Sequence, residues 1–221
     1  MRPFAEDAAF QIARQCMVSE QLRQRGIRDE RVLDAMARVP RHEFVASHYG
    51  SQAYLDHPVP LDLGQFISQP YMVATMLECL RLEPDSTVLE IGTGTGYQAA
   101  LLAEIATRVL SIERIAALAE QARENLSRLG IENVEVEIGD GSMGFPARAP
   151  YDRIIVAAAA PVAPAALVEQ LSEGGLLLVP VGPAESQVLQ RIQRVGGQLR
   201  TELLDACRFV PLIGEQGNRQ G

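Results

Sequence analysis

Three carboxylates stand at the ends of three apolar runs, and two of the runs lead into glycine. Val88-Leu89-Glu90-Ile91 enters Gly92-Thr93-Gly94-Thr95-Gly96, Val109-Leu110-Ser111-Ile112 ends in Glu113, and Val134 to Ile138 leads into Gly139-Asp140-Gly141. Glycine permits φ > 0 in the turn after a strand and lets a ligand approach the backbone, while a following helix directs its free N–H groups at that ligand. In the dinucleotide fingerprint G-x-G-x-x-G the third glycine would fall on Tyr97, so a pyrophosphate cradle is disfavoured. Glu90, two residues ahead of the first glycine, suits an ammonium group better than a diphosphate. Glu113 stands about where nucleotide folds keep the acid that accepts both ribose hydroxyls, a task for an acceptor-only group. Asp140 is placed to accept an adenine amino group. Singly, Glu113 reads as a surface residue and Asp140 as a turn residue; jointly the three acids fit S-adenosylmethionine, with its amino-acid moiety, sulfonium and nucleoside.

A second constellation, Gly64-Gln65-Phe66-Ile67-Ser68-Gln69-Pro70, precedes an apolar helical pattern. Ser68 falls at or just outside the expected helix start, where free N–H groups and the helix dipole favour an anion and a hydroxyl adds a donor. An acceptor carboxylate fits there. The plainer alternative makes Ser68 an ordinary capping residue.

The elements that must position these groups are legible as patterns. Phe10, Ala13, Met17 and Leu22 predict a first helix that stops at Gly26, Asp29 caps a second that ends at Pro40, and Pro70 opens a third with Val73, Met76, Leu77 and Leu80 on one face. The irregular stretch between the second and third helices is a lid candidate. From Thr87 to Val181 strands alternate with helices, which predicts a parallel sheet covered on both faces. Gln187 to Val195 and Gln198 to Leu204 flank Gly196-Gly197, as antiparallel strands joined by a tight hairpin would. The expected fold class is α/β, a doubly wound Rossmann-like sheet with an N-terminal helical elaboration and a C-terminal antiparallel hairpin. Residues 1–83 form the helical and acceptor-site region, residues 84–216 the nucleoside-binding core with its hairpin, and residues 217–221 a disordered tail.

Composition narrows the classes. With 47% hydrophobic residues in 221, the chain can bury a substantial core as one domain plus an elaboration. The formal net charge of −8, with no run of Lys or Arg, disfavours DNA or RNA as the acceptor. Cys16, Cys79 and Cys207 are odd in number and lack metal spacing, and His42, His48 and His57 lack helical ligand spacing, so neither disulfides nor a metal are expected. Arg41 and His42 read either as groove-lining or as solvated surface residues. No apolar run approaches membrane-spanning length and the first residues lack a signal-peptide core, so a cytoplasmic protein without membrane partners is expected.

The chain also resembles the protein-L-isoaspartate O-methyltransferase family over nearly its whole length. The resemblance rests on Val39-Pro40-Arg41-His42 with Phe44-Val45, Gly64-Gln65, Ile67-Ser68-Gln69-Pro70-Tyr71, and the glycine loop with Tyr97-Gln98-Ala99-Ala100. Gly139-Asp140-Gly141, Pro150-Tyr151-Asp152, Ile154-Ile155-Val156 with Ala158-Ala159, and Phe209-Val210-Pro211-Leu212 extend it. It implies a class I methyltransferase fold, S-adenosylmethionine as methyl donor, and isoaspartyl proteins and peptides as acceptors. It implies Ser68 as the catalytic residue, with donor contacts at Ile67, Ser68, Glu90, Gly92, Thr93, Gly94, Gly96, Glu113, Arg114, Asp140 and Gly141. The family's usual threonine is replaced by Phe66, and Ala157 stands where bacterial members often have threonine. Phe66 is expected to narrow the acceptor pocket, weaken carboxylate binding, or mark a relative with a changed acceptor.

The chemistry needs little from the protein beyond placement. An isoaspartyl α-carboxylate is ionised near pH 7 and attacks a sulfonium methyl without a general base. In-line alignment contributes several kcal/mol, up to about ten at best. The resemblance implies that the methyl ester then closes to a succinimide, which reopens partly as normal aspartate. Two rivals stay open at this point: a carboxyl methyltransferase with another acceptor, and an idle adaptor that keeps the nucleoside pocket.

Overall fold

The computed structural model describes residues 7–219, and within them the chain divides between Glu78 and Cys79 into two compact units. In the first unit, helix α1 (Ala8–Cys16) is capped by the Asp7 side chain, which accepts from the Ala9 N–H. The single long helix expected here is only partly α: Met17–Arg23 continues as a π-helix. Met17 and Leu22 are both fully buried and five residues apart. That spacing puts them about 140° apart on an α-helix, whereas widening to i→i+5 bonds brings them back to one face.

Helix α2 (Glu30–Arg38) starts at Asp29, whose carboxylate accepts from the Arg31 N–H as the capping pattern predicts. Glu78 adds a second acceptor to this turn, taking the N–H groups of Arg28 and Asp29 at 2.6 and 2.7 Å. Beyond Pro40 come two short 3₁₀ turns, Arg41–Phe44 and Ser47–Gln52, and then a small hairpin of β1 (Val59–Pro60) and β2 (Phe66–Ile67). In that hairpin Val59 pairs with Ile67 and Pro60 with Phe66. Helix α3 (Pro70–Leu80) follows, with Val73, Met76, Leu77 and Leu80 buried as one face.

The second unit is a seven-stranded sheet. Its elements are β3 (Thr87–Ile91), α4 (Tyr97–Ile105), β4 (Arg108–Glu113), α5 (Ala116–Arg128), β5 (Val134–Ile138), β6 (Tyr151–Val156), the short α6 (Ala165–Glu169), β7 (Leu171–Val181), β8 (Gln187–Val195) and β9 (Gln198–Cys207). The strand order is β5-β4-β3-β6-β7-β8-β9, parallel as far as β7 and antiparallel across β8 and β9. Gly196 and Gly197, at φ +60° and +72°, make the turn between β8 and β9, a conformation that favours glycine at both positions. Leu89, Ile91, Ile112, Ile154, Val156, Leu177 and Val179 line one face of the sheet in the central hydrophobic cluster, and Val88, Val109, Ile155 and Leu178 on the other face are buried too, as strands covered on both faces require.

The chain runs outward from β3 through β4 to β5, then returns to the other side of β3 as β6. The carboxyl ends of β3 and β6 therefore flank a topological switch point, the crevice where open α/β sheets bind ligands.

At the carboxyl terminus, the expected disorder does not extend to Gly217 and Asn218. Asn218 donates through its side chain to the Ala159 and Leu212 carbonyls at 3.0 and 3.2 Å, and Gly217 N–H reaches the Gly214 carbonyl at 3.2 Å. Side-chain amide bonds of this kind were invisible in a Gly- and Asn-containing tail. The last residues of the expected tail, 220 and 221, lie outside the described residues.

Candidate active site

The glycine turn sits at the switch point. Gly92, Gly94 and Gly96 have φ of +92°, +56° and +94°, so the path from β3 into α4 needs residues without a Cβ penalty. A Cβ on Gly92 would stand 3.5 Å from the Ala157 Cβ at the end of β6, so the two walls of the crevice already touch at that level. Helix α4 begins at Gly96 with no side-chain cap, which leaves first-turn N–H groups directed at the crevice without a side-chain acceptor.

Glu113 closes this turn from the neighbouring strand. Its Oε2 accepts from Gly94 N–H and its Oε1 from Ile115 N–H, both at 2.9 Å. An ionised carboxylate has about four acceptor sites, so two backbone bonds leave capacity for two hydroxyl donors. The parallel ladder continues past the strand end: Gly139 N–H donates to the Glu113 carbonyl at 3.0 Å, which brings Asp140 alongside.

Asp140 is held by three donors. Oδ1 takes the N–H and hydroxyl of Ser142 at 2.9 and 2.7 Å, and Oδ2 takes the N–H of Glu215 at 2.7 Å. Burial works to raise the Asp140 pKa, but the bonds from Glu215 and Ser142 outweigh it and hold the carboxyl below its ordinary value. Gly214 is packed so tightly over this carboxylate that a Cβ there would overlap Asp140 Oδ1. A Cβ at Gly141 would likewise overlap the Ile91 side chain, so glycine after Asp140 lets its loop lie against the end of β3.

Glu90 corrects an expectation. It does not present its carboxylate at the surface of the crevice but is 0% exposed, between β4 and β6 at the Ser111 and Ile155 register. Ser111 Oγ donates to Glu90 Oε2 at 2.5 Å and shares a 2.5 Å hydrogen bond with Thr93 Oγ1, so the acid supports the glycine turn from beneath. Burial pushes the Glu90 pKa up to about 8, against the opposing effect of Ser111 and Gln98, so the carboxyl is largely protonated at neutral pH. An uncharged, enclosed carboxyl is a poor direct counter-ion for an ammonium. Arg114 is exposed, and Thr93 directs its hydroxyl inward to Ser111.

In the first unit, Ser68 is half-buried between β2 and α3, and Ile67 beside it is 7% exposed. The cap of α3 comes from elsewhere: Asp56 Oδ1 accepts the Tyr71 N–H at 3.0 Å. Asp56 is in turn paired with Arg25, whose guanidinium lies 3.6 Å from the centroid of the Tyr71 ring. The helix start expected to attract an acceptor carboxylate thus already has one, from the chain itself. Sequence gave no sign of Asp56 in this role, because a cap supplied across fifteen residues leaves no local motif.

Arg41 and His42 are not solvated surface residues. Arg41 is 0% exposed, and His42 stacks on Phe10 at 4.0 Å between centroids and meets the Tyr54 hydroxyl at 2.7 Å. Phe66 does not fill an enclosed space either: it stands on β2 with 52% of its surface exposed, and Leu63 at the hairpin tip is 60% exposed. Among the described residues no group of three or more His, Cys, Asp or Glu is arranged to hold a metal ion.

A doubly wound sheet of this strand order, with a glycine turn at the switch point and acids closing the next two strand ends, is the class I Rossmann-like methyltransferase fold. Residues 13–217 match the family model of protein-L-isoaspartate(D-aspartate) O-methyltransferase, and the chain belongs to that family. A protein-L-isoaspartate O-methyltransferase of Koribacter versatilis is 56% identical over 208 residues, covering 94% of each chain. One from Geobacter metallireducens is 51% identical, covering 94% of this chain and 97% of its own. Among solved structures, a protein-L-isoaspartate O-methyltransferase superposes with a TM-score of 0.83 at 32% identity, over 93% of this chain and 67% of that one. The Plasmodium falciparum protein described as a putative member, in complex with S-adenosyl-L-homocysteine, gives 0.79 at 28% identity over 91% of this chain and 98% of its own.

Proposed function

We propose that this chain transfers a methyl group from S-adenosylmethionine to the free carboxylate of L-isoaspartyl residues in damaged proteins, initiating repair through a succinimide. The observation that carries the reading is the family match over residues 13–217, which takes in both the Ser68 segment and the glycine turn. When bound, S-adenosylmethionine supplies a methyl group on a sulfonium, which an ionised acceptor takes without a general base. Ser68 is the residue proposed to orient that acceptor; with Asp56 capping α3, its hydroxyl is not committed to the Tyr71 N–H. A hydroxyl aligns the carboxylate without the ground-state stabilisation that a buried cation pair would bring.

On the donor side, Glu113 is proposed to take the ribose hydroxyls and Asp140 the adenine amino group. Gly92, Thr93, Gly94, Gly96 and Gly141 shape the backbone around the donor, Arg114 borders it, and Glu90 contributes through the turn it supports. The division of labour assigns acceptor handling to residues 1–83 and donor binding to residues 84–216. Isoaspartyl proteins and peptides are the proposed partners. The formal net charge of −8 disfavours nucleic acid, and no helix among the described residues is long and apolar enough to cross a membrane. The cytoplasm is the proposed compartment.

The test is methyl transfer from labelled S-adenosylmethionine to a short peptide carrying L-isoaspartate, beside the same peptide with normal aspartate. Selective labelling of the isoaspartyl peptide is expected. Donor binding with no labelling of either peptide would turn the search to other carboxylates.

A further inference from the structure

The Ser68 connector has a structural problem that neither flanking element solves. The helical ladder of α3 begins with Val73 N–H donating to the Gln69 carbonyl at 3.1 Å, and the β1–β2 pairing ends at Ile67 opposite Val59. The Ser68 carbonyl therefore lies outside both ladders. Arg41 supplies its donor: the fully buried guanidinium places Nη2 2.8 Å from the Ser68 carbonyl and Nε 2.7 Å from the Ala53 carbonyl. The planar fork suits this task, because two donors in fixed geometry tie two backbone segments at once.

The same loop holds the connector from its other end. Three residues beyond Ala53, Asp56 accepts the Tyr71 N–H and is fixed by Arg25. Ser68 thus sits in a short span clamped on one side through Arg41 to Ala53 and on the other through Asp56.

We propose that Arg41 is a positioning residue for methyl transfer, holding the Ser68 peptide so that the hydroxyl meets the acceptor carboxylate in the reactive alignment. This rests on the assignment of Ser68 to the acceptor. Arg41 acts through backbone carbonyls and touches neither donor nor acceptor, so its loss changes turnover and leaves donor affinity alone. Lysine at this position keeps charge and stem but loses the two-pronged geometry. A displacement of about 1 Å in a reacting group lowers rates on the order of 100-fold, which sets the upper range for Arg41→Lys.

The experiment compares wild type, Ser68→Ala, Arg41→Lys and the double variant, measuring kcat on the isoaspartyl peptide, S-adenosylmethionine affinity by calorimetry, and thermal unfolding. Arg41→Lys is expected to lower kcat by about 10- to 100-fold, by no more than Ser68→Ala does, with donor Kd within about twofold of wild type. The double variant should be no slower than Ser68→Ala, because residues acting on one alignment are not additive. Multiplicative losses in the double variant, or a donor Kd that weakens in parallel with kcat, would overturn the proposal. Wild-type turnover in Ser68→Ala would instead remove the Ser68 assignment on which it stands. Should Arg41→Lys not fold, Arg41→Gln gives the same comparison with a neutral amide donor; failure of both to fold assigns Arg41 to stability alone and also overturns the proposal.

Discussion

The glycine turn and the Ser68 connector are built by opposite means. Around Gly92 to Gly96, position follows from the register of the strand ends: Gly92 N–H donates to the Ile112 carbonyl and Gly139 N–H to the Glu113 carbonyl, and the Glu113 side chain at the end of β4 accepts from Gly94 N–H. The acids of that region are where they are because parallel strands end there. Around Ser68, position follows from charged side chains reaching across the chain, Arg41 to the Ser68 carbonyl from twenty-seven residues away and Asp56 to the Tyr71 N–H from fifteen. A site made by sheet register is robust to surface substitution and sensitive to its own acids; a site made by side-chain clamps is sensitive to residues that never meet a ligand.

The largest effect we expect sharpens the first half of this contrast. Glu90 supports the turn through Ser111 and Thr93 as a buried carboxyl whose pKa is raised from 4.5 to about 8. Between those values the unfolded chain releases the proton while the folded chain keeps it, so stability falls as pH rises through this window and levels off above about 8. At about 1.4 kcal/mol per unit the loss is several kcal/mol. Glu90→Gln, a neutral isostere, should abolish that slope and match or exceed wild-type stability at pH 8 while retaining donor binding. Denaturant titrations at pH 5 and pH 8.5 read it directly; an unchanged slope in the variant would show that Glu90 is ionised in the folded protein.

Glu113→Ala should come next, weakening S-adenosylmethionine affinity on the order of 100-fold, since each hydroxyl bond to a charged acceptor contributes roughly 1.5 to 3 kcal/mol. The variant also frees Gly94 N–H, so the turn itself loosens. Unchanged calorimetric affinity would break the assignment of the ribose to this strand end. Ser68→Ala should reduce turnover by about 10- to 100-fold with donor affinity preserved, as expected for a lost alignment donor. Gly214→Ala should weaken donor affinity by roughly tenfold, since its Cβ would overlap Asp140 Oδ1 and move the carboxylate proposed to take the adenine amino group. If donor affinity were unaffected by Gly214→Ala, the Asp140 assignment would be at fault.

What could be read from sequence divides along the same line. The glycines, Glu113 and Asp140 were visible because strand ends and turns have short-range signatures: an apolar run, then a residue that tolerates positive φ. The cap at Asp29 was visible for the same reason. Glu90 was correctly placed at the end of β3 but misjudged in environment, since a strand residue shows its face only once its neighbours are known. Ser111, polar inside an otherwise apolar run, was the available sign of its buried partner. The tasks of Arg41, Asp56 and Gly214 left no local trace, because each works against a partner far away in the chain, Arg41 and Asp56 against backbone and Gly214 against the Asp140 carboxylate.

The smallest effect probes the larger of the two departures that the family resemblance brought out, at Phe66. Phe66 replaces the usual threonine, yet with 52% of its surface exposed it is not wedged into an enclosed cavity. Its backbone pairs with Pro60, so substitution should leave the β1–β2 hairpin and the Ser68 connector in place. Phe66→Thr should therefore change turnover on a simple isoaspartyl peptide by less than about threefold, in keeping with the small effect of most exposed substitutions. A steady-state comparison of the two proteins on one peptide is enough. A large gain in the threonine variant would mean that Phe66 obstructs the acceptor, and the clamped side of the molecule would then differ from its relatives in substrate, with the register-built donor side unchanged.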